Sequence, residues 1–220
     1  MRQGWLAHGW WGLIRFGFRL LYNEFAWSYD LVSSLVSLGQ WRQWQRASIP
    51  YLVATPDHLI LELAHGTGTL LIDLTRMGMR VIGLDLSPFM GRIAGRKARH
   101  AGLVLRLVRA SAMQLPFPDT SFDSVVSTFP TEFIVHPQTL AEIHRVLKPG
   151  GRWVCVPNSV LTIRGPVSRF LEWLYQITGQ RGPWPIDPCQ AAGKAGFEAE
   201  LIIEELPGSR VWIVVAFKPA

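Results

Sequence analysis

Two stretches of this sequence carry residue types at spacings that can do chemistry. Leu61-Glu-Leu-Ala-His-Gly-Thr-Gly68 places a carboxylate, an imidazole and two glycines in one short run, and Asp85 follows Glu62 by 23 residues. Glycines at a strand-to-helix turn let a ligand approach backbone where a side chain would collide or force a disallowed angle. A carboxylate ending the next strand can grip both hydroxyls of a ribose through charge-assisted hydrogen bonds. The other reading of Asp85 is an acid balancing the dipole of the following helix. The glycines are too sparse for a dinucleotide fingerprint, and no Lys followed by Ser or Thr comes after them as a phosphate loop requires. A ligand with a nucleoside and no phosphate suits both facts.

These residues need elements to hold them. His58 to Ala64 reads as a short apolar strand, Thr69 to Met77 as a helix stopped by Gly78, and Met79 to Leu84 as a second strand. Ser87-Pro88 opens the next helix with a cap and a proline at its first position, and the helix closes near Gly102. Strands are predicted over Leu103–Val108, Phe122–Ser127 and Arg152–Val156, with a helix over Pro137–Leu147. Ala199–Ile203 and Val211–Phe217 flank a Pro207-Gly208 turn that leaves no room for a helix, so they form an antiparallel pair. Strands divided by helices predict one doubly wound α/β domain over residues 51–220, preceded by a helical extension over 1–50 in which Leu31, Leu35 and Leu38 have helical spacing. Residues 157–188 interrupt the pattern after the fifth strand. They would hang over the carboxyl ends of the strands, as a lid or acceptor wall or as a surface excursion.

Composition narrows the class. A chain of 220 residues, 49% hydrophobic and 17% charged, is neither a disordered polymer nor a collagen-like repeat. Its two cysteines are too few for a disulfide scaffold or a four-cysteine zinc site, which points to a reducing, cytoplasmic setting. Six scattered histidines show no ligand spacing, so no metal is expected. The net charge is +6, and half of it sits in residues 1–50 with six of the ten Trp. That pairing suits an anionic membrane surface, a nucleic acid or a merely solvated face; no nucleic-acid-binding signature accompanies it, so nucleic acid is not the expected partner. Gln3–Ile14 is far short of the ~20 residues that cross a bilayer, and no secretory cleavage site follows it. Residues 1–21 are instead expected to lie on a membrane surface, with Trp at headgroup level and Arg15 and Arg19 reaching anionic lipid.

Four motifs, in order, carry a family likeness: Leu61–Gly68, Val81-Ile-Gly-Leu-Asp-Leu-Ser-Pro88, Ala110–Val126 and Glu142-Ile-His-Arg-Val-Leu-Lys-Pro-Gly-Gly151. On these the chain resembles the class I S-adenosylmethionine-dependent methyltransferases, nearest the branch with the ubiquinone and menaquinone C-methyltransferases. The resemblance implies a seven-stranded sheet in the order 3-2-1-4-5-7-6 with an antiparallel seventh strand. It also implies S-adenosylmethionine as cofactor and a small, rather apolar acceptor such as a lipid or quinone. Glu62, Ala64, His65, Gly66 and Gly68 would approach the methionine part, and Asp85 the ribose. Leu86 and Met90 would flank the adenine, Ser111, Ala112 and Met113 its other side, and Thr128 and Phe129 the methionine and acceptor. The family usually has glycine where Ala64 stands and an acid where Ser111 stands. Tyr22 and Tyr29, in a segment resembling the family's N-terminal helix over the pocket, and His136 after the fourth strand are the candidates for acceptor contact and proton transfer. Packing for the tyrosines and helix capping for His136 are their alternative roles. A non-catalytic binding protein on the same fold is the competing expectation for the whole chain.

Overall fold

The computed structural model describes residues 29–52, 55, 57–162, 165–166, 169–171, 173 and 187–220. The surface helix expected over 1–21, Tyr22, and most of the expected lid helix lie outside them. Seven strands form one sheet in the order β3-β2-β1-β4-β5-β7-β6. They are β1 (Leu59–Leu63), β2 (Arg80–Asp85), β3 (Arg106–Arg109), β4 (Phe122–Thr128), β5 (Leu147–Leu161), β6 (Glu198–Leu206) and β7 (Ser209–Phe217). β1 pairs in parallel with β2 and β4, and β7 runs antiparallel to both β5 and β6. The helices are α1 (Tyr29–Val36), α2 (Trp41–Arg46), α3 (Thr69–Arg76), α4 (Pro88–His100), α5 (Pro137–Val146) and α6 (Pro188–Lys194).

Period-two alternation sends each central strand's side chains into two separate cores. Leu61, Val125, Trp153 and Val214 pack in one layer with Leu140 and Ile143 of α5. Ile60, Val126, Val154 and Ile213 pack in the other with Leu70, Leu71 and Leu74 of α3 and Trp44 of α2. Burial on both faces explains why these strands read as continuous apolar runs. Glu62, in phase with Ile60, faces the α2–α3 layer and is buried there.

The structure departs from the sequence reading in β5, β3 and α1. β5 runs on through Pro157 and Asn158 to Leu161, because the register shift between Cys155 and Asn158 accommodates a residue without an N–H. β3 starts at Arg106 rather than Leu103: the Leu103 N–H is taken by the Ala98 carbonyl as α4 closes through Gly102 at φ +69°. In α1, Leu31 and Leu35 do face one way, but that face is exposed, and the buried positions are Ser33 and, just past the helix end, Ser37. Among the described residues no helix is long and apolar enough to cross a membrane.

Candidate functional site

The sheet order reverses between β1 and β4, and the carboxyl ends of these two strands define the crevice where open α/β sheets bind ligands. The glycine turn lies at the end of β1. Ala64 and His65 N–H both donate to the Leu84 carbonyl at 2.7 and 3.3 Å, which ties the turn to the end of β2. Ala64 takes φ +55°, a left-handed conformation that its methyl resists. So the backbone shape the turn needs survives the replacement of the family's glycine. Gly68 sits at φ +76°, and a Cβ there would fall 2.7 Å from Ala94 Cβ of α4.

Asp85 is the hub of the site. Its Oδ2 accepts from Gly66 N–H at 2.9 Å, and its Oδ1 accepts from Ser87 N–H at 2.8 Å. Each carboxylate oxygen therefore spends one lone pair on holding itself still and keeps another for a ligand hydroxyl. Glu62, two residues before the turn, is buried with Oε2 unpartnered among the described residues. Burial, then the negative charges of Asp85 and Asp73, pushes its carboxyl well above the usual carboxylate range. An orphaned carboxyl oxygen of this kind calls for a partner that the described residues do not provide.

His65 is also buried, its Nδ1–H donating to the Gly66 carbonyl at 2.9 Å. Burial lowers its pKa against the opposing pull of Asp85, which keeps the ring neutral. Its ring lies where a side chain on Gly83 would be, 2.9 Å from the position of a Cβ. Thus His65 shapes the floor of the turn.

The remaining sequence-predicted residues fall into groups. Leu86 is exposed, whereas Met90 is buried beneath α4. Ser111 Oγ accepts from Met113 N–H at 3.2 Å, fixing the half-buried turn that holds Ala112. Thr128, at the end of β4, is buried and its Oγ1 accepts from Gln45 Nε2 at 3.0 Å. Phe129 follows at φ +50° and stacks on Trp41, ring centroids 4.3 Å apart. His136 caps α5: its Nδ1 accepts from Gln138 N–H at 3.2 Å. Among the described residues no hydrogen bond or ring contact joins His136 to the glycine turn. Tyr29 begins α1, but its side chain is outside the described residues.

Sequence reasoning missed how the N-terminal helices reach the site. Asp30 of α1 accepts from Thr67 Oγ1 at 2.5 Å and from Lys97 Nζ at 2.7 Å. Lys97, on α4, also reaches Thr69 Oγ1 at 3.0 Å. Gln45 and Trp41 of α2 engage Thr128 and Phe129, so α1 and α2 clasp the crevice from the β1 side and the β4 side. Asp30 sits in the segment that resembles the family's N-terminal helix, but no spacing rule pairs it with a lysine 67 residues away.

The family model described as the ubiE/COQ5 methyltransferase family matches residues 18–184. The chain belongs to this family. It is 36% identical over 161 residues to a demethylmenaquinone methyltransferase of Symbiobacterium thermophilum, an alignment covering 70% of this chain and 62% of that protein. It is 31% identical over 205 residues to a 2-phytyl-1,4-naphtoquinone methyltransferase of Synechococcus elongatus, covering 89% and 84%. Among solved structures, the [4+2]-cyclase SpnF superposes with a TM-score of 0.60 at 20% identity, over 81% of this chain and 82% of that one. A likeness at that identity concerns the fold alone. S-adenosylmethionine is the cofactor of this family and fold, and the residues present fit it. Asp85 has lone pairs free for two ribose hydroxyls, and the orphaned Glu62 oxygen can accept from the ammonium of the methionine part.

Proposed function

We propose that this protein transfers a methyl group from S-adenosylmethionine to a small apolar acceptor of the isoprenoid-quinone type. The observation that carries the reading is Asp85, held by the Gly66 and Ser87 N–H groups at the carboxyl ends of β1 and β2, beside an unsatisfied buried Glu62. When bound, the cofactor supplies an electrophilic methyl on sulfur, so the chain's task is alignment more than activation. Asp85 and the glycine turn hold the nucleoside. The stacked Trp41 and Phe129 make an aromatic wall next to Thr128, suited to the flat face of a quinol ring and to excluding water.

Methylation of a ring carbon also releases a proton from that carbon. His136 is the candidate to accept that proton, its Nδ1 being engaged by Gln138 N–H. Tyr22 and Tyr29 are the groups proposed to orient an acceptor hydroxyl. The acceptor class is further supported by the two quinone methyltransferases to which the chain is similar.

The test is an incubation of the purified protein with methyl-labelled S-adenosylmethionine and a reduced prenylated 1,4-naphthoquinone, read by mass spectrometry. One labelled methyl on the ring carbon is the expected product. Cofactor binding with no transfer to any prenylated quinol would remove the acceptor assignment and leave a binding protein on this fold.

A further inference from the structure

We propose that the α4–β3 edge of the sheet is a docking surface for anionic phospholipid headgroups. A cavity of about 690 Å³ opens there, flanked by Arg92, Arg96, Arg99 and Arg109 above Leu105 and Leu107. All four arginines are exposed, and none is ion-paired with a carboxylate among the described residues. Arg92 lies over the Phe89 ring at 4.6 Å, and Arg109 Nε donates to the Leu86 carbonyl at 3.2 Å. Their remaining N–H groups are left for an outside acceptor.

The charge distribution singles out this face. Residues 86–118 contain six Lys and Arg and no acid, while the rest of the chain has sixteen of each sign. Outside that segment the two signs balance, the +3 of residues 1–50 being offset by an excess of acids elsewhere. Among the described residues Lys97 is the one of the six paired with a carboxylate, Asp30. β3 is the outer strand on this side of the sheet, bonded to β2 alone, so nothing in the described chain covers the edge.

The apolar side chains decide between anionic partners. Leu86, Phe89 and Val104 are 66, 38 and 89% exposed at the two ends of α4. Against a phosphodiester backbone they would face hydrated charge. At a bilayer they enter the acyl boundary while the arginines reach headgroup phosphates with their stems in the apolar layer. The same cavity reaches Asp85 and Ser87, so docking sets the cofactor crevice beside the lipid. The observations behind this surface involve none of residues 1–21, and its reading does not depend on the acceptor.

The experiment is flotation of the full chain with phosphatidylcholine vesicles and with vesicles containing phosphatidylglycerol, at low and physiological salt. Wild type should float with the anionic vesicles alone and bind less as salt rises. The Arg92→Gln/Arg96→Gln/Arg99→Gln variant should partition roughly 100-fold less, and Arg109→Gln alone roughly fivefold less. Both should keep the wild-type melting profile and affinity for S-adenosylhomocysteine. An Arg15→Gln/Arg19→Gln variant gives the share due to the N-terminal segment. Unchanged partitioning of the triple and Arg109 variants overturns the proposal. So does equal binding to neutral vesicles, release by millimolar inorganic phosphate at constant ionic strength, or tighter arginine-dependent binding to mixed-sequence RNA.

Discussion

Glu62 couples the stability of the cofactor-free protein to pH. Its folded-state pKa is raised, above all by burial, so between the unfolded value of about 4.3 and the folded value the native chain keeps a proton that the unfolded chain releases. Stability from this group therefore falls as pH rises through that window. Glu62→Gln should flatten the slope, melting higher than wild type at pH 7 to 8 with a difference that vanishes below about pH 4. Parallel melting profiles for the two proteins would show that the carboxyl is not held neutral. Ala64 gives a second prediction. At φ +55° its methyl costs roughly 1 kcal/mol, so Ala64→Gly should raise stability by up to about that amount in denaturant titration. A loss of stability on that change would mean the methyl packs usefully. The sequence marked Glu62, Gly66, Gly68 and Asp85 because their roles rest on local geometry. The helix-capping role expected for His136 was legible because its bond to Gln138 N–H is local, whereas the free Oε2 of Glu62 was not, since it depends on atoms brought together by tertiary structure.

At the scale of elements, the glycine turn is the part that tolerates least. Gly68→Ala combines a positive φ with a Cβ placed 2.7 Å from Ala94 Cβ, across the α3–α4 contact. A cost of about 2 kcal/mol or more is expected in unfolding measurements, since both strain and a collision with backbone-borne atoms must be relieved. The Asp30–Lys97 bridge should behave differently. Both side chains are partly exposed, so Asp30→Ala should cost less than about 1 kcal/mol globally. The same variant should still speed amide exchange at Thr67 and Gly68, where α1 pins the turn. Exchange rates unchanged at these amides would remove the clasp from the account. Strands buried on both faces were plain in the sequence as apolar runs, and Ser87-Pro88 marked its helix correctly, Ser87 Oγ accepting from Met90 N–H. Pro157 hid the second half of β5, because a bulge that admits proline leaves no pattern in composition.

For the whole molecule, strand order brings the ends of β1, β2 and β4 together, and α1 and α2 close over them. The order was legible through the family motifs and the helix-free turn at Pro207-Gly208, which is the β6–β7 hairpin. The clasp was not, because its contacts cross 37 and 83 residues of chain between side chains that have no sequence signature. All of this geometry converges on one claim, that the nucleoside of S-adenosylmethionine is gripped by Asp85 against the glycine turn. Isothermal titration of S-adenosylhomocysteine into the wild type and into Asp85→Ala tests it directly. Wild type should bind, and the variant should lose roughly 10- to 100-fold in affinity, the worth of charge-assisted hydrogen bonds of about 1.5–3 kcal/mol. Equal affinity in a variant that remains folded, or no binding by the wild type at millimolar ligand, would contradict the account.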